Sequence, residues 1–390
     1  MRLLMVAPDF PSPAGKGYQV RLYHEILGLA PRHEIALVAF GAEARITSEL
    51  RDACRDVVGV PWSLRAGAVK ALLAAPRLPL SVGLYRDRRM SAVLREHAMH
   101  AELVHVQMVR MAPYLDALRG QPVVLDLLDA SELSMRERAR AASRGPRELL
   151  MVEARRLGAY EKRVIATAAM SLLISERDFD FLGRPDRARV LPNGVDPQPH
   201  SGQRLPNTIV FSGTMSYFPN ADAASWFARE ILPEVRRAVP RAEFRIVGRE
   251  PDARIRELAA LPGVTVTGPV RDIAAEIASA TVSVCPMRYG SGMQTKILEA
   301  MAVGTPVVAT PTALEGIPAD LQPFLRRAGG VSEFATQVAD ILQNPGPASA
   351  VAAAGLEEVA RGHTWARHVA ELEEIYEAAV SSAISDRRGR

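Results

Sequence analysis

Short apolar runs alternate along this chain with longer stretches in which apolar positions recur every three or four residues. In the first half the short runs are Arg2–Ala7, Glu34–Phe40, Leu103–Gln107, Val123–Leu127 and Ser171–Ser175, and the longer amphipathic stretches are Tyr18–Ala30 and Glu148–Thr167. Aliphatic runs this short, without polar alternation, suit strands buried on both faces. A parallel sheet covered by helices is the arrangement that buries them so. The opening MRLLMVAPDF meets Pro8 and Asp9 early and reads as a first strand, not a secretion signal.

The alternation stops at LPNGVDPQPHSGQRLP, residues 191–206, which is dense in proline, glycine and polar residues. Such a stretch reads as a linker. It then restarts. Thr208–Ser212, Glu243–Val247, Val264–Thr267, Val282–Cys285 and Val307–Thr310 are expected strands, and Ala221–Ala238, Arg271–Ala280, Met293–Ala302 and Val331–Leu342 expected helices. A last helix covers about Trp365–Ile384, with Ser385–Arg390 a frayed tail. The expected domains are 1–191, a linker 192–206, 207–362, and a terminal helix and tail 363–390 that packs back on the first domain. At 390 residues the chain has length for two domains. The fold class is α/β: two Rossmann-like doubly wound domains facing across a cleft. Ligands of such sheets bind beyond the carboxyl ends of the strands.

Composition narrows the function. Hydrophobic residues make up 48% and aromatics 5%, yet no uninterrupted apolar run approaches the roughly 18 residues of a membrane span. The net charge of +4, without a nucleic-acid-binding motif, gives no reason to expect a nucleic-acid partner. Cys54 and Cys285 are too far apart in sequence for a zinc spacing, and a reducing cytoplasm is the simplest compartment. Of 48 basic residues only Lys16, Lys70, Lys162 and Lys296 are lysine. In an arginine-biased chain a lysine can mark a place that needs a compact ammonium. Lys16 and Lys296 both sit near glycines.

The richest stretch is YGSGMQTKILEAMAVGTP, residues 289–306. Gly290 and Gly292 let the backbone come close to a ligand. The helix that follows presents unpaired N–H groups and a positive dipole end, which suit an anion. Lys296 adds charge, and Glu299 offers an acceptor for ribose hydroxyls. Alone, Lys296 and Glu299 are also an ordinary i,i+3 surface pair. The apolar neighbours Ile297, Leu298, Ala300 and Met301 argue for a largely buried helix, in which a carboxylate needs a partner. The first-domain loop APDFPSPAGKGY, residues 7–18, places Gly15, Lys16 and Gly17 between strand and helix. Their amides could face a phosphate, or the loop is a proline-rich turn. It fits neither G-x-G-x-x-G nor a P-loop.

Taken together, KILEAMAVGTPVVAT, LPNGVD, IVFSGTMSYFPNADAASWF, FRIVGR and VTVTGPVRDI resemble, in order, the donor half of GT-B glycosyltransferases of the group 1, or family 4, type. The likeness covers about Leu191 to Thr310. It is nearest to the branch with Gly-Ser-Gly before KILEAMA, some members of which assemble bacterial exopolysaccharides. The resemblance implies two Rossmann-like domains, a sugar nucleotide held by the second, an acceptor in the first, retention of anomeric configuration, and no metal or cofactor. It implies that Glu299 holds the ribose and that Gly290, Ser291, Gly292, Met293, Gln294 and Thr295 receive the diphosphate. Gly213 is a further donor-binding candidate. Two departures stand out. The family's first glutamate is Ser291 here, and the loop Gly213–Asn220 lacks the family's arginine and lysine. Positive charge for the leaving diphosphate then falls first to Lys296, with Arg249, Arg271, Arg288 and Lys16 as further candidates.

In the first domain, His105 lies on a strand expected to reach the cleft, where family members often carry a histidine, or it is a hydrogen-bonded core histidine. Asp126 and Asp129 end the next strand and suit acceptor contact or proton abstraction, with helix capping the alternative for Asp129. Asp178-Phe-Asp180 spells a metal signature of another glycosyltransferase fold. Acidic residues in a helix's first turn are the simpler reading. Arg136–Arg163 and Leu64–Leu80 combine arginine with aliphatic residues. A solvated basic face is preferred for them over contact with anionic lipid or a lipid-linked acceptor at the inner face of a membrane. The expected activity is transfer of a sugar from a nucleotide-diphosphate sugar to a hydroxyl acceptor. The alternatives are a sugar-nucleotide epimerase of the same architecture and a non-catalytic sugar-nucleotide-binding partner.

Overall fold

A computed structural model describes residues 1–198, 202, 204–290 and 292–388. The chain divides into one unit formed by Met1–Asn193 with Trp365–Arg390 and a second formed by Gly194–Thr364. Of the linker expected at 192–206, residues 199–201 and 203 lie outside the described residues, as do 389–390 of the tail. The final helix runs from Trp365 to Arg388, so most of the expected frayed tail continues the helix.

The first unit is built on a parallel sheet of β1 (Arg2–Ala7), β2 (Glu34–Phe40), β3 (Asp56–Val60), β4 (Leu103–Gln107), β5 (Val123–Leu128), β6 (Met170–Leu173) and β7 (Ala188–Val190). Their order is β3-β2-β1-β4-β5-β6-β7. Side chains alternate between the faces, as the pleat requires. Leu4 and Val6 join one core with Val104, Val106 and Leu125, while Leu3, Met5 and Ala7 join the other with Ile35 and Leu37. The terminal helix completes that second core through Val369, Leu372, Tyr376 and Ala379. It lies so close to helix Gly17–Leu29 that a Cβ on Gly28 would meet Val369 Cγ2 at 2.6 Å.

The second unit has β8 (Leu205–Ser212), β9 (Glu243–Val247), β10 (Val264–Gly268), β11 (Ala280–Cys285), β12 (Val307–Ala309) and β13 (Arg326–Arg327), all parallel, in the order β10-β9-β8-β11-β12-β13. The helix expected at Ala221–Ala238 begins earlier, at Phe218, and contains a π turn at Phe227–Ile231 just before Pro233. Proline has no N–H for the regular ladder, which accounts for a widened turn there.

In each sheet the strand order reverses once, between β1 and β4 and between β8 and β11. The loops that leave neighbouring strands at such a point splay apart and open a crevice beyond their carboxyl ends. The loop carrying Gly15–Gly17 follows β1. Gly213–Asn220 follows β8, and the loop 286–294 follows β11.

Candidate functional site

The carboxyl edge of the second sheet is shaped by glycines that allow backbone to meet backbone. Gly213 (φ 155°) and Gly248 (φ 147°) follow β8 and β9. Gly213 N donates to Val247 O at 3.0 Å and Met215 N to Arg249 O at 2.9 Å. A Cβ on Gly248 would lie 1.8 Å from Gly213 O, and one on Gly213 would lie 2.7 Å from Asn220 Nδ2. No other residue fits either position. Farther along the edge, a Cβ on Gly316 would lie 2.2 Å from Gly292 O, which packs the loop after β11 against the chain beyond β12.

Asn220 is fixed in orientation by this packing. Its Nδ2 donates to Thr214 O at 3.0 Å, so its Oδ1 is left to accept from Lys296 Nζ, also at 3.0 Å. Gln294 Oε1 accepts from the same ammonium at 3.2 Å, Met287 Sδ lies at 3.9 Å, and the Phe211 ring centroid at 5.4 Å. Among the described residues no carboxylate oxygen comes within 4.0 Å of this nitrogen. Lys296 is therefore gripped by neutral groups and a π face, and its charge is left uncompensated at close range.

Helix Thr295–Ala302 starts here. Its N-cap residue, Gln294, makes no side-chain cap; the amide serves Lys296 instead. Gly290 (φ 134°) and Gly292 (φ 71°) precede it, and Met293 and Gln294 are buried. Glu299 keeps partial exposure one turn beyond Lys296. Desolvation pushes its carboxyl above the usual range, and the Lys296 charge opposes this. Ser291 lies outside the described residues.

The other cationic candidates differ. Arg288 is neutralised by Asp222, with two hydrogen bonds of 2.9 and 2.6 Å, and lies over the Trp226 ring. Arg249 donates to Thr214 Oγ1 at 3.2 Å, at the contact between the two glycine loops. Arg271 is exposed beyond β10.

In the first unit, Lys16 and Gly17 are exposed. Their loop is organised by Gln19, whose Oε1 accepts from Lys16 N at 2.9 Å and whose Nε2 donates to Phe10 O at 2.8 Å. His105 is fully buried, and its Nδ1 lies 2.7 Å from the Tyr376 hydroxyl. It belongs to a polar network inside the core. Arg21 Nε donates to Asp126 Oδ2 at 2.7 Å and lies 3.1 Å from Glu25 Oε1. Arg21 Nη1 donates to Leu191 O and Asn193 Oδ1 at 3.0 and 2.9 Å. His368 lies 2.7 Å from Pro192 O through Nδ1 and 2.9 Å from Glu25 Oε1 through Nε2. A carbonyl can only accept, so Nδ1 carries a proton, and a second proton must lie between Nε2 and Glu25. Burial raises the Glu25 carboxyl and lowers the His368 imidazolium, and both shifts favour the proton on the glutamate. Asp126 and His105, expected at an acceptor site, are thus core residues of this network. Tyr376 and Asn193, far away in sequence, explain why strand position alone could not show it.

Glu25, His105 and Asp126 have ligand atoms within 4.8 Å of one another, the one metal-sized cluster among the described residues. Arg21 already lies against both Glu25 and Asp126, so an added cation would face a guanidinium. The Asp178-Phe-Asp180 pair splits. Asp178 is buried and accepts from Ala130 N at 3.0 Å, while Asp180 pairs with Arg184 on the surface.

Asp129 is half-buried and accepts from Ser134 Oγ at 2.7 Å. It is not the N-cap of helix Ser131–Ala141; Ala130 is. The first amides of that helix go to Glu161, from Ser131 at 2.6 Å and Glu132 at 3.1 Å. Burial lifts the Glu161 carboxyl to about 7. Asp178 is lifted to about 6, first by burial and then by the charge of Asp129. Sequence reasoning did not single out Asn220, Gln19, Arg21, Glu25 or Glu161 individually. Asn220 was legible only as part of a quoted motif.

Residues 206–344 match the family model described as Glycosyl transferases group 1. The second unit thus carries a segment that matches this group of glycosyltransferases. A phosphatidyl-myo-inositol mannosyltransferase of Mycobacterium leprae is 27% identical over 57% of this chain, and the chain spans 62% of that relative's length. Among solved structures, sucrose-phosphate synthase from Thermosynechococcus elongatus is 18% identical with a TM-score of 0.71, covering 98% of this chain and 100% of that one. Anabaena HepE in complex with UDP-glucose is 14% identical with a TM-score of 0.69, covering 97% and 100%. At these identities the likeness to solved structures is one of fold.

Proposed function

We propose that the protein transfers a sugar from a nucleotide-diphosphate sugar to a hydroxyl acceptor, with retention of anomeric configuration and without a metal. The observation that carries this reading is the ammonium of Lys296. It stands at the amino end of Thr295–Ala302, at the strand-order reversal of the second sheet, held by Asn220 and Gln294, with no carboxylate among the described residues within 4.0 Å.

A diphosphate at that helix end gains the dipole and the unpaired N–H groups as well as the lysine. As the bond from sugar to phosphate breaks, negative charge grows on the leaving oxygens. Lys296 is already positioned for it, so little reorganisation is needed in the transition state. Glu299 takes the ribose hydroxyls, and Gly290 and Gly292 keep side chains out of the approach. Gly213 and Arg249 line the same edge, and Arg271 is exposed beyond β10. Acceptor contacts are assigned to the first unit, where Gly15, Lys16 and Gly17 follow β1. Asp129, half-buried and already accepting a hydroxyl from Ser134, is the candidate for holding the acceptor proton. The likeness in fold to HepE bound to UDP-glucose supports a donor of this kind.

The test pairs binding with turnover. Nucleotide diphosphates and their sugars are screened for thermal stabilisation, since a ligand of the native state raises the melting temperature. The stabilising donor is then assayed for sugar transfer to hydroxyl acceptors. Stabilisation that is equal in wild type and in a Lys296→Ala, Glu299→Ala double variant overturns the assigned site.

A further inference from the structure

Helix Leu64–Ala74 is apolar on its outer side. Gly67, Ala71 and Ala74 mark the buried side. Small residues there permit close packing: a Cβ on Gly67 would lie 2.6 Å from Leu84 O, and one on Gly83 would lie 3.0 Å from Ala71 Cα. The opposite side carries Val69, Leu72 and Leu73, exposed to 59%, 70% and 78%. A surface helix normally turns its polar residues outward. Here the larger hydrophobic side chains face solvent.

A second exposed set adjoins it. On helix Arg144–Thr167, Leu149, Glu153 and Arg156 share one side by their i, i+4, i+7 spacing. Arg156 donates to the carbonyls of Ala75 and Leu78, and Glu153 Oε1 accepts from Ser81 N and Oγ at 3.0 and 3.1 Å. These bonds hold the segment after Leu64–Ala74 against the stripe on which Leu149 projects, one turn away. Leu149 is 75% exposed, and Val152 and Leu80 are exposed beside them.

Charge around this face is predominantly positive. Residues 61–86 contain Arg65, Lys70, Arg77 and Arg86 and no acidic residue. Lys70 is paired with Asp87, but Arg65 and Arg77 are exposed. Arg144 and Arg147, also exposed, precede Leu149, with Glu148 the only acid in residues 138–152.

We propose that this face docks on an anionic lipid surface. Leu72, Leu73, Leu80 and Leu149 enter the boundary between headgroups and acyl chains, and Arg65, Arg77, Arg144 and Arg147 meet the phosphates. Among the described residues no helix is long and apolar enough to cross a membrane, so the contact is peripheral. A twofold contact between copies of the chain would set these arginines against their own equivalents. An anionic bilayer meets both the apolar and the charged halves of the face. The inference rests on exposure and charge, independently of the sugar-transfer reading.

The full-length protein is co-sedimented with vesicles of phosphatidylcholine alone and of phosphatidylcholine with phosphatidylglycerol. Binding is expected to the second kind, weakening as salt rises. The paired change Leu72→Gln, Leu73→Gln is expected to weaken it at least about tenfold, with an unchanged melting temperature because both side chains are exposed. Arg144→Glu with Arg147→Glu is expected to remove the preference for phosphatidylglycerol. The proposal is overturned if wild type ignores phosphatidylglycerol vesicles or if the leucine variant binds as wild type does. It is equally overturned if the leucine changes instead dissolve a dimer seen by sedimentation.

Discussion

The two units each hold a cluster of polar side chains, and the clusters are balanced differently. Around Arg21 in the first, the guanidinium meets Asp126 and Glu25, and the two histidines are buried with it. Charge is cancelled within the core. Around Lys296 in the second, the partners are an asparagine, a glutamine, a sulfur and a ring. Charge is positioned and left over. The first arrangement stabilises packing against the terminal helix and the chain's exit at Leu191–Asn193. The second is what an anionic ligand would complete. Burial alone therefore does not separate a structural polar cluster from a functional one. What differs between these two clusters is the balance of charge.

Arg21→Ala is the largest expected blow to the first side of this contrast. It leaves Asp126 buried without its guanidinium, and breaking such pairs costs about 3–5 kcal/mol, to be read from denaturant unfolding. Lys296→Ala is expected to do the opposite: no loss of melting temperature, but a fall in kcat of about 10²–10³-fold with a smaller change in donor affinity. A variant that lost binding and turnover equally would deny the lysine a transition-state role. Gly248→Ala forces a Cβ toward Gly213 O at a strained φ, for an expected ~1–3 kcal/mol of stability and a larger fractional loss of donor binding than of fold, measured by titration and melting together.

The smallest effect is on pH dependence. Glu161 has its carboxyl raised from 4.5 to about 7 by burial, so the folded chain holds that proton more tightly than the unfolded one. Its contribution to stability is complete below about 4.5 and is lost as pH rises through about 7. His368, lowered from 6.5 to about 3 by burial, acts oppositely: its contribution is present above 6.5 and is lost as pH falls toward 3. Melting curves across this range should show both slopes, and Glu161→Gln should make the decline on the alkaline side shallower, Glu25 and Asp178 keeping their share of it.

Central strands were legible in the sequence because burial on both faces makes them continuous aliphatic runs. β1, β2, β4, β5, β8, β9 and β11 fall within a few residues of the expected positions. β3, β7 and β13 went unrecognised. β7 and β13 are two or three residues long, and β3 is mostly half-exposed, so none carries the signature of a covered strand. They are all sheet edges. The segment 289–306 was legible as a candidate site because glycines, a lysine and a glutamate are contiguous there. Asn220, which fixes Lys296, is separated from it by 76 positions and could be linked to it only in three dimensions. The network around His105 was hidden for the same reason. Exposure of Leu72 and Leu73 was hidden because an apolar helix reads alike whether its outer side meets protein or solvent.

The return of the terminal helix to the first unit has a consequence for synthesis. His105 and Tyr376 are 271 positions apart, and the whole of Gly194–Thr364 is made between them. During translation the second unit can finish folding while Leu3, Met5 and Ile35 still lack Val369 and Leu372 as a lid. The earlier-made half of the molecule is thus the later one to be sealed, and until then the face that the terminal helix covers stays open to solvent.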